Sequence, residues 1–201
     1  MRICLLLCLA ACGAACRGTD DDSAALVPSG TTSATTLPPN QVVLGTELGE
    51  IAIELFPDDA PDTVANFLSY VDRGFYDGTD GDGAGTFYRA VPDFVLQGGG
   101  VRVNGSMKDT DPPIANEARD SGLSNALWTV AMARTADPDS ATTEFFINLD
   151  DNSFLDPDGS TPDGYAVFGR VVGGKPVVNA IMDLPVSGET LVDPVEFTEV
   201  R

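Results

Sequence analysis

From Gln41 onward the chain is written in short strand-like runs cut by Gly, Pro and Asp, and this punctuation constrains the fold more than any other feature. In "QVVLGTELGEIAIELF", Ile51, Ile53 and Leu55 alternate with Ala52 and Glu54, and Gly49 divides two such runs, the pattern of a β-hairpin. Further strands are expected at residues 86–91, 94–98, 129–134, 144–149, 165–172 and 195–200. One segment changes period. In "DAPDTVANFLSYVDRG", Val64, Phe67, Leu68 and Val71 recur at helical spacing, with Asp59 as cap candidate, Pro61 in the first turn and Gly74 as the stop. A second helix is expected near 175–184. Many short strands with two helices predict a mainly β chain, an antiparallel barrel or sandwich over residues 41–201.

Composition removes several chemistries. The chain carries 11 Lys and Arg against 31 Asp and Glu, a formal net charge of −20. Nucleic acid is therefore not an expected partner, since phosphate binding needs clustered cations. There is no histidine, which excludes Ser-His-Asp and Cys-His mechanisms. The cysteines are Cys4, Cys8, Cys12 and Cys16, so residues 41–201 hold neither a disulfide nor a thiolate metal site. The acidic stretches "DGTDGDGAG" (77–85) and "DPDGSTPDG" (156–164) lack the spacing of a calcium loop and read as flexible solvated loops; no metal is expected.

The first residues, "MRICLLLCLAAC", combine a basic start with a short apolar run, as a signal peptide over 1–11 would. LAAC resembles the lipobox of bacterial lipoproteins, with Cys12 favoured over Cys16 as the lipidated residue. Residues 12–40, rich in Thr, Ser, Asp and Pro, read as a disordered tether. An exported protein, anchored by lipid to the bacterial cell envelope, is the expectation.

The stretch "FYRAVPDFVLQGGG" (87–100) places polar residues on strand-like runs. Strand parity puts Arg89 on one face with Phe87 and Val91, and Gln97 on one face with Val95. Gly98, Gly99 and Gly100 permit close approach of another chain, or a bulge. This stretch, with "NEARDSGL", "WTVAMARTADPDSATTEFFINLDDNSFLD" and "YAVFGRVVGG" in order, resembles the cyclophilin-type peptidyl-prolyl cis-trans isomerases, particularly bacterial secreted members. The resemblance implies a closed eight-stranded antiparallel β-barrel capped by two α-helices, no cofactor, and a proline pocket on the barrel's outer face. It makes Arg89 the catalytic arginine with Gln97 beside it. Phe94, Val95, Phe146, Leu155 and Tyr165 would line the pocket, Ala133, Arg134 and Thr135 would pair with substrate backbone, and Phe154 and Glu144 would also bind substrate. The implied partners are proline-containing, unfolded or partly folded polypeptides, and the implied state is a monomer.

Several residues depart from the family pattern. Tyr88 replaces a frequent histidine, Val95 a methionine, and Phe154 a tryptophan, which predicts weak cyclosporin binding because an indole N–H donor is missing. Glu144 stands where glutamine is usual and shares parity with Phe146. It either faces and masks Arg89, giving a proline-binding chaperone or scaffold with little turnover, or turns to solvent. Trp128, where glycine is common, reads as packing.

Overall fold

The computed structural model describes residues 38–158, 161 and 163–201. The signal-like segment, Cys12 and the tether as far as Leu37 lie outside the described residues. Eight strands close into one antiparallel barrel: β1 (Gln41–Thr46), β2 (Gly49–Leu55), β3 (Thr86–Val91), β4 (Val95–Gly99), β5 (Thr129–Met132), β6 (Phe145–Asn148), β7 (Val167–Gly173) and β9 (Thr190–Val200). Their spatial order is β1-β2-β7-β5-β6-β4-β3-β9, and pairing of β1 with β9 completes the ring. A two-residue β8 (Val186–Ser187) adds a ribbon to β9. Helices α1 (Pro61–Asp72) and α3 (Lys175–Met182) bury Val64, Phe67 and Tyr70, and Val178 and Ile181, in the core that the strands enclose. A third, single-turn helix, α2 (Ala118–Ser121), is additional to the two expected.

Alternation sorts side chains between the barrel interior and its outer face. Leu96, Val130, Met132, Phe145, Ile147 and Phe168 point into the main core. Their neighbours Val95, Ala131, Phe146 and Val167 point outward into a second apolar cluster. On β3 the simple parity fails. Phe87 pairs with Gly98 and Arg89 with Gln97, so Tyr88 is an extra residue, a β-bulge. Phe87 therefore stays inside, fully buried, while Arg89 is turned out beside Val91; the two do not share a face. The same bulge is matched on β9, where Phe87 pairs with Val195 and Arg89 with Thr190, leaving residues 191–194 as an excursion opposite Tyr88. The excursion includes Pro194, which cannot donate to a ladder, and the strand begins ahead of it at Thr190 rather than at 195.

Two glycines owe their identity to crowding. A Cβ on Gly98 would stand 2.7 Å from the Thr86 carbonyl oxygen and 2.8 Å from the Phe87 ring, and one on Gly99 would collide with the Glu144 carboxylate. The residue capping α1 is also not local. Ala60, not Asp59, is the N-cap residue and makes no side-chain cap. Glu117, just ahead of α2, accepts from the Asp62 N–H at 3.1 Å, the Thr63 N–H at 2.7 Å and the Thr63 hydroxyl at 2.6 Å.

The acidic stretch 77–85 is anchored rather than freely solvated. Buried Lys108 donates from Nζ to the carbonyls of Phe75 and Gly83, both at 2.6 Å, and pairs with Asp80 at 2.9 Å. Arg102 pairs with Asp82 in the same stretch. The cation that this loop surrounds is thus a lysine ammonium supplied by the chain.

Candidate active site

The outward side chains of β4 to β7 make an apolar floor, and Leu155 and Tyr165, from the connection between β6 and β7, close one side of it. The result is a concave cavity of about 240 Å³. Val95, Phe146 and Leu155 are buried at its base, and Phe94, Ala133 and Tyr165 form its partly exposed walls. Arg89, Gln97 and Arg134 contribute its polar edge. Nine of the residues read from the sequence therefore meet in one cavity.

Arg89 is held from three directions. Its Nε and Nη2 both lie 2.8 Å from Glu189 Oε2, its Nη1 donates to Gln97 Oε1 at 3.2 Å, and its guanidinium carbon lies 5.9 Å from the Phe94 ring centroid. Gln97 is oriented in turn, because its Nε2 donates to the Tyr88 hydroxyl at 2.6 Å. The bulge that turns Arg89 outward thus also supplies the phenol that fixes the glutamine. Across the cavity, Arg134 lies over the Tyr165 ring at 4.6 Å and donates from Nε to the Gly164 carbonyl at 2.9 Å. Tyr165 meets Phe146 edge-on at 5.6 Å. The arrangement offers a pre-oriented cation at the border of an apolar hollow, and no Ser, Thr, Cys, Lys, Asp or Glu side chain lines it.

Residues 41–201 match the family model described as cyclophilin type peptidyl-prolyl cis-trans isomerase/CLD. The chain belongs to this family. A peptidyl-prolyl cis-trans isomerase of Streptomyces antibioticus is 53% identical over 142 residues, covering 70% of this chain and 81% of that one. Another from Acinetobacter baylyi is 48% identical over 155 residues, covering 77% of this chain and 78% of its own. Among solved structures, a Cryptosporidium parvum cyclophilin crystallised in the presence of the dipeptide Ala-Pro superposes with a TM-score of 0.67 at 21% identity, covering 80% of this chain and 96% of that one. The protein is thus a peptidyl-prolyl cis-trans isomerase on a cyclophilin barrel.

Three expected site residues, Phe154, Thr135 and Glu144, do not line this cyclophilin cavity. Phe154 lies at the rim, 46% exposed, stacked on Phe94 with ring centroids 5.8 Å apart. Thr135 lies beyond the end of β5, which stops at Met132, and its N–H donates to Ser140 Oγ at 2.9 Å. Ala133 lines the cavity, but its N–H donates to the Glu144 carbonyl at 2.8 Å, so two of the backbone donors expected to meet substrate are engaged within the chain.

Glu144 does neither of the two things expected of it: it does not pair with Arg89, and it does not turn to solvent. Glu144 precedes β6, and its Oε1 turns back to accept from the Gly100 N–H at 2.7 Å, in the space that Gly99 leaves. Burial pushes its pKa up, against the opposing pull of Tyr88, the Gly100 N–H and Thr143. The carboxylate on Arg89 is Glu189, which sequence reasoning missed. It also missed a set of buried asparagines. Asn152 donates to the Phe94 carbonyl at 2.9 Å and to Asn148 at 2.8 Å, Asn148 donates to Asn125 at 3.2 Å, and Asn125 to the Tyr165 carbonyl at 3.2 Å. These bonds tie the two walls Phe94 and Tyr165 together. Asn and Gly-rich loops are common in any sequence, so no local signal marks them.

Trp128 packs against the main core and lies 4.9 Å from Lys175 Nζ. Its φ of 71° is a left-handed conformation that favours glycine.

Proposed function

We propose that Arg89 accelerates rotation about Xaa-Pro bonds by stabilising the twisted amide, and that the substrates are unfolded or partly folded exported polypeptides. The observation that carries this reading is the Arg89 guanidinium, oriented by Gln97 at the edge of an apolar hollow of about 240 Å³. A planar amide resists rotation by ~18–20 kcal/mol because of resonance. As the bond twists, the proline nitrogen becomes pyramidal and gains a lone pair. Arg89 Nη1 has a second N–H beyond the one given to Gln97, and it can donate to that lone pair. The planar ground state offers no such acceptor, so the bond is selective for the transition state. Val95, Phe146 and Leu155 would hold the proline ring while the rest of the peptide turns. The Ala-Pro dipeptide in whose presence the Cryptosporidium parvum cyclophilin was crystallised contains a bond of the same kind. The signal-like start, LAAC with Cys12, and the Thr- and Ser-rich stretch after it support export and a lipid anchor on the cell envelope.

A second reading, a proline-segment chaperone or scaffold with little turnover, is favoured by one feature, the two-contact ion pair of Glu189 on Arg89. Protease-free cis-to-trans relaxation of a short Xaa-Pro peptide decides between them, with the full chain and its Arg89→Ala variant side by side. The isomerase reading expects acceleration by wild type and a loss of ~10²–10³ in kcat/KM on removing this one preorganised donor. Relaxation at the uncatalysed rate with both proteins, while the peptide binds, would establish the scaffold.

A further inference from the structure

A second and larger concavity, of about 530 Å³, adjoins the Arg89 site on its Tyr88 side. One wall is Thr190 with the 191–194 excursion of β9 and the other is the loop 101–107, with Tyr88 between them. It carries three of the eight large apolar side chains that are exposed among the described residues: Val103 at 54%, Met107 at 61% and Val192 at 57%. No Asp or Glu lines it, although the chain has 31 of them. Its one charged lining residue, Arg102, is engaged elsewhere, with Asp82, Ser106 Oγ at 3.1 Å and the Met107 carbonyl at 2.8 Å. Those bonds, with the bridge between Val101 and Met107, hold the loop in shape before anything binds. A preformed concavity that exposes apolar side chains and has no carboxylate in its lining, in a strongly acidic molecule, is suited to an apolar side chain.

The groove lies next to the residues of the Arg89 site. Thr190, in its wall, is the cross-strand partner of Arg89, and Tyr88 carries the hydroxyl that orients Gln97. Cross-strand partners stand about 5 Å apart, and an extended peptide advances about 3.3–3.6 Å per residue. A chain with its proline beside Arg89 therefore reaches the groove with a side chain about two to four residues away. We propose that this groove binds an apolar side chain of the same polypeptide whose proline occupies the Arg89 cavity, and so selects substrates with an apolar residue near the proline. The proposal rests on the isomerase reading of that cavity.

The test uses the full chain and five peptides: Ala-Ala-Pro-Ala, and the same peptide lengthened by three residues at either end, carrying one leucine or one serine in the added part. Binding is read by titration calorimetry and turnover by cis-to-trans relaxation. At one of the two ends, the leucine peptide should bind about tenfold more tightly than its serine counterpart. Val192→Asp and, separately, Met107→Asp should bring that ratio close to one; both side chains are exposed, so neither change opens the core. Equal binding of leucine and serine peptides at both ends, an advantage that survives both substitutions, or binding of no peptide at all would overturn the proposal. If the leucine advantage appears in binding and follows the two substitutions while no peptide is turned over, the groove stands and the isomerase reading of the cavity falls.

Discussion

The charge of Arg89 is partly neutralised within the chain. Glu189 sits on its Nε–Nη2 edge, and the pair is not deeply buried, with side chains 30% and 58% exposed. Two unit charges ~4 Å apart interact by about 1 kcal/mol at the dielectric of water and about 4 at an effective value of 20, and exposure places this pair toward the lower figure. Glutamine at 189 could still accept from the guanidinium, preserving its orientation while removing the opposing charge. Glu189→Gln should therefore raise kcat/KM on a short Xaa-Pro peptide by about three- to tenfold, and added salt should narrow the difference from wild type. A lower kcat/KM would show that the carboxylate positions Arg89 more than it restrains it. The residues around this arginine differ in how readily the sequence reveals them. Arg89, Phe94, Val95 and Gln97 fall within one short stretch whose chemistry is conspicuous, a cation and an amide among apolar residues. Glu189 lies 100 positions away in a chain crowded with carboxylates, and only the folded β8–β9 turn singles it out.

At the scale of elements, periodicity located α1 and most of the strands, because each has a buried face and alternation or helical spacing reports burial directly. It failed where two strands depart from regular pairing. Tyr88 shifts the register of β3, so Arg89 leaves the face of Phe87, and β9 loops out opposite it. A bulge does not alter composition, so parity counting passes over it. Helix capping failed for a related reason, since a cap is sought in the residue before the helix and α1 is capped by Glu117, 54 positions beyond Thr63. That long-range cap gives "NEARDSGL" a structural role, because it holds the N-terminus of α1 against the α2 turn. Removing it should be costly, because two backbone donors lose a charged acceptor at the positive end of a helix and the buried Thr63 hydroxyl is left without it. Glu117→Ala should cost about 2–3 kcal/mol, lowering Tm by roughly 4–10 °C for a domain of this size, with Glu117→Gln between the two. Thermal unfolding of the three proteins checks the order; an unchanged Tm in Glu117→Ala would mean that water replaces the carboxylate without loss.

At the scale of the whole molecule, charge decides what could hold this protein to a membrane. Peripheral proteins often combine one acyl chain with a basic patch, since a single chain binds only marginally and reversibly. With a net charge of −20, this chain would be repelled by anionic lipid, and the cations Arg73, Arg102, Lys108, Arg170 and Arg201 are already paired with carboxylates. No helix among the described residues is long and apolar enough to cross a bilayer. Membrane residence through the proposed lipid would therefore have no electrostatic support, and losing the acceptor thiol should release the protein outright instead of weakening its retention by degrees. In a bacterial host expressing the full chain, Cys12→Ser should abolish incorporation of a labelled fatty acid and move the protein to the soluble fraction, while Cys16→Ser should leave both label and location as in wild type. Retention of label by Cys12→Ser together with its loss in Cys16→Ser would move the anchor to Cys16. Absence of label from the wild-type protein would remove the anchor altogether, leaving a barrel whose strongly acidic surface keeps it away from the membrane.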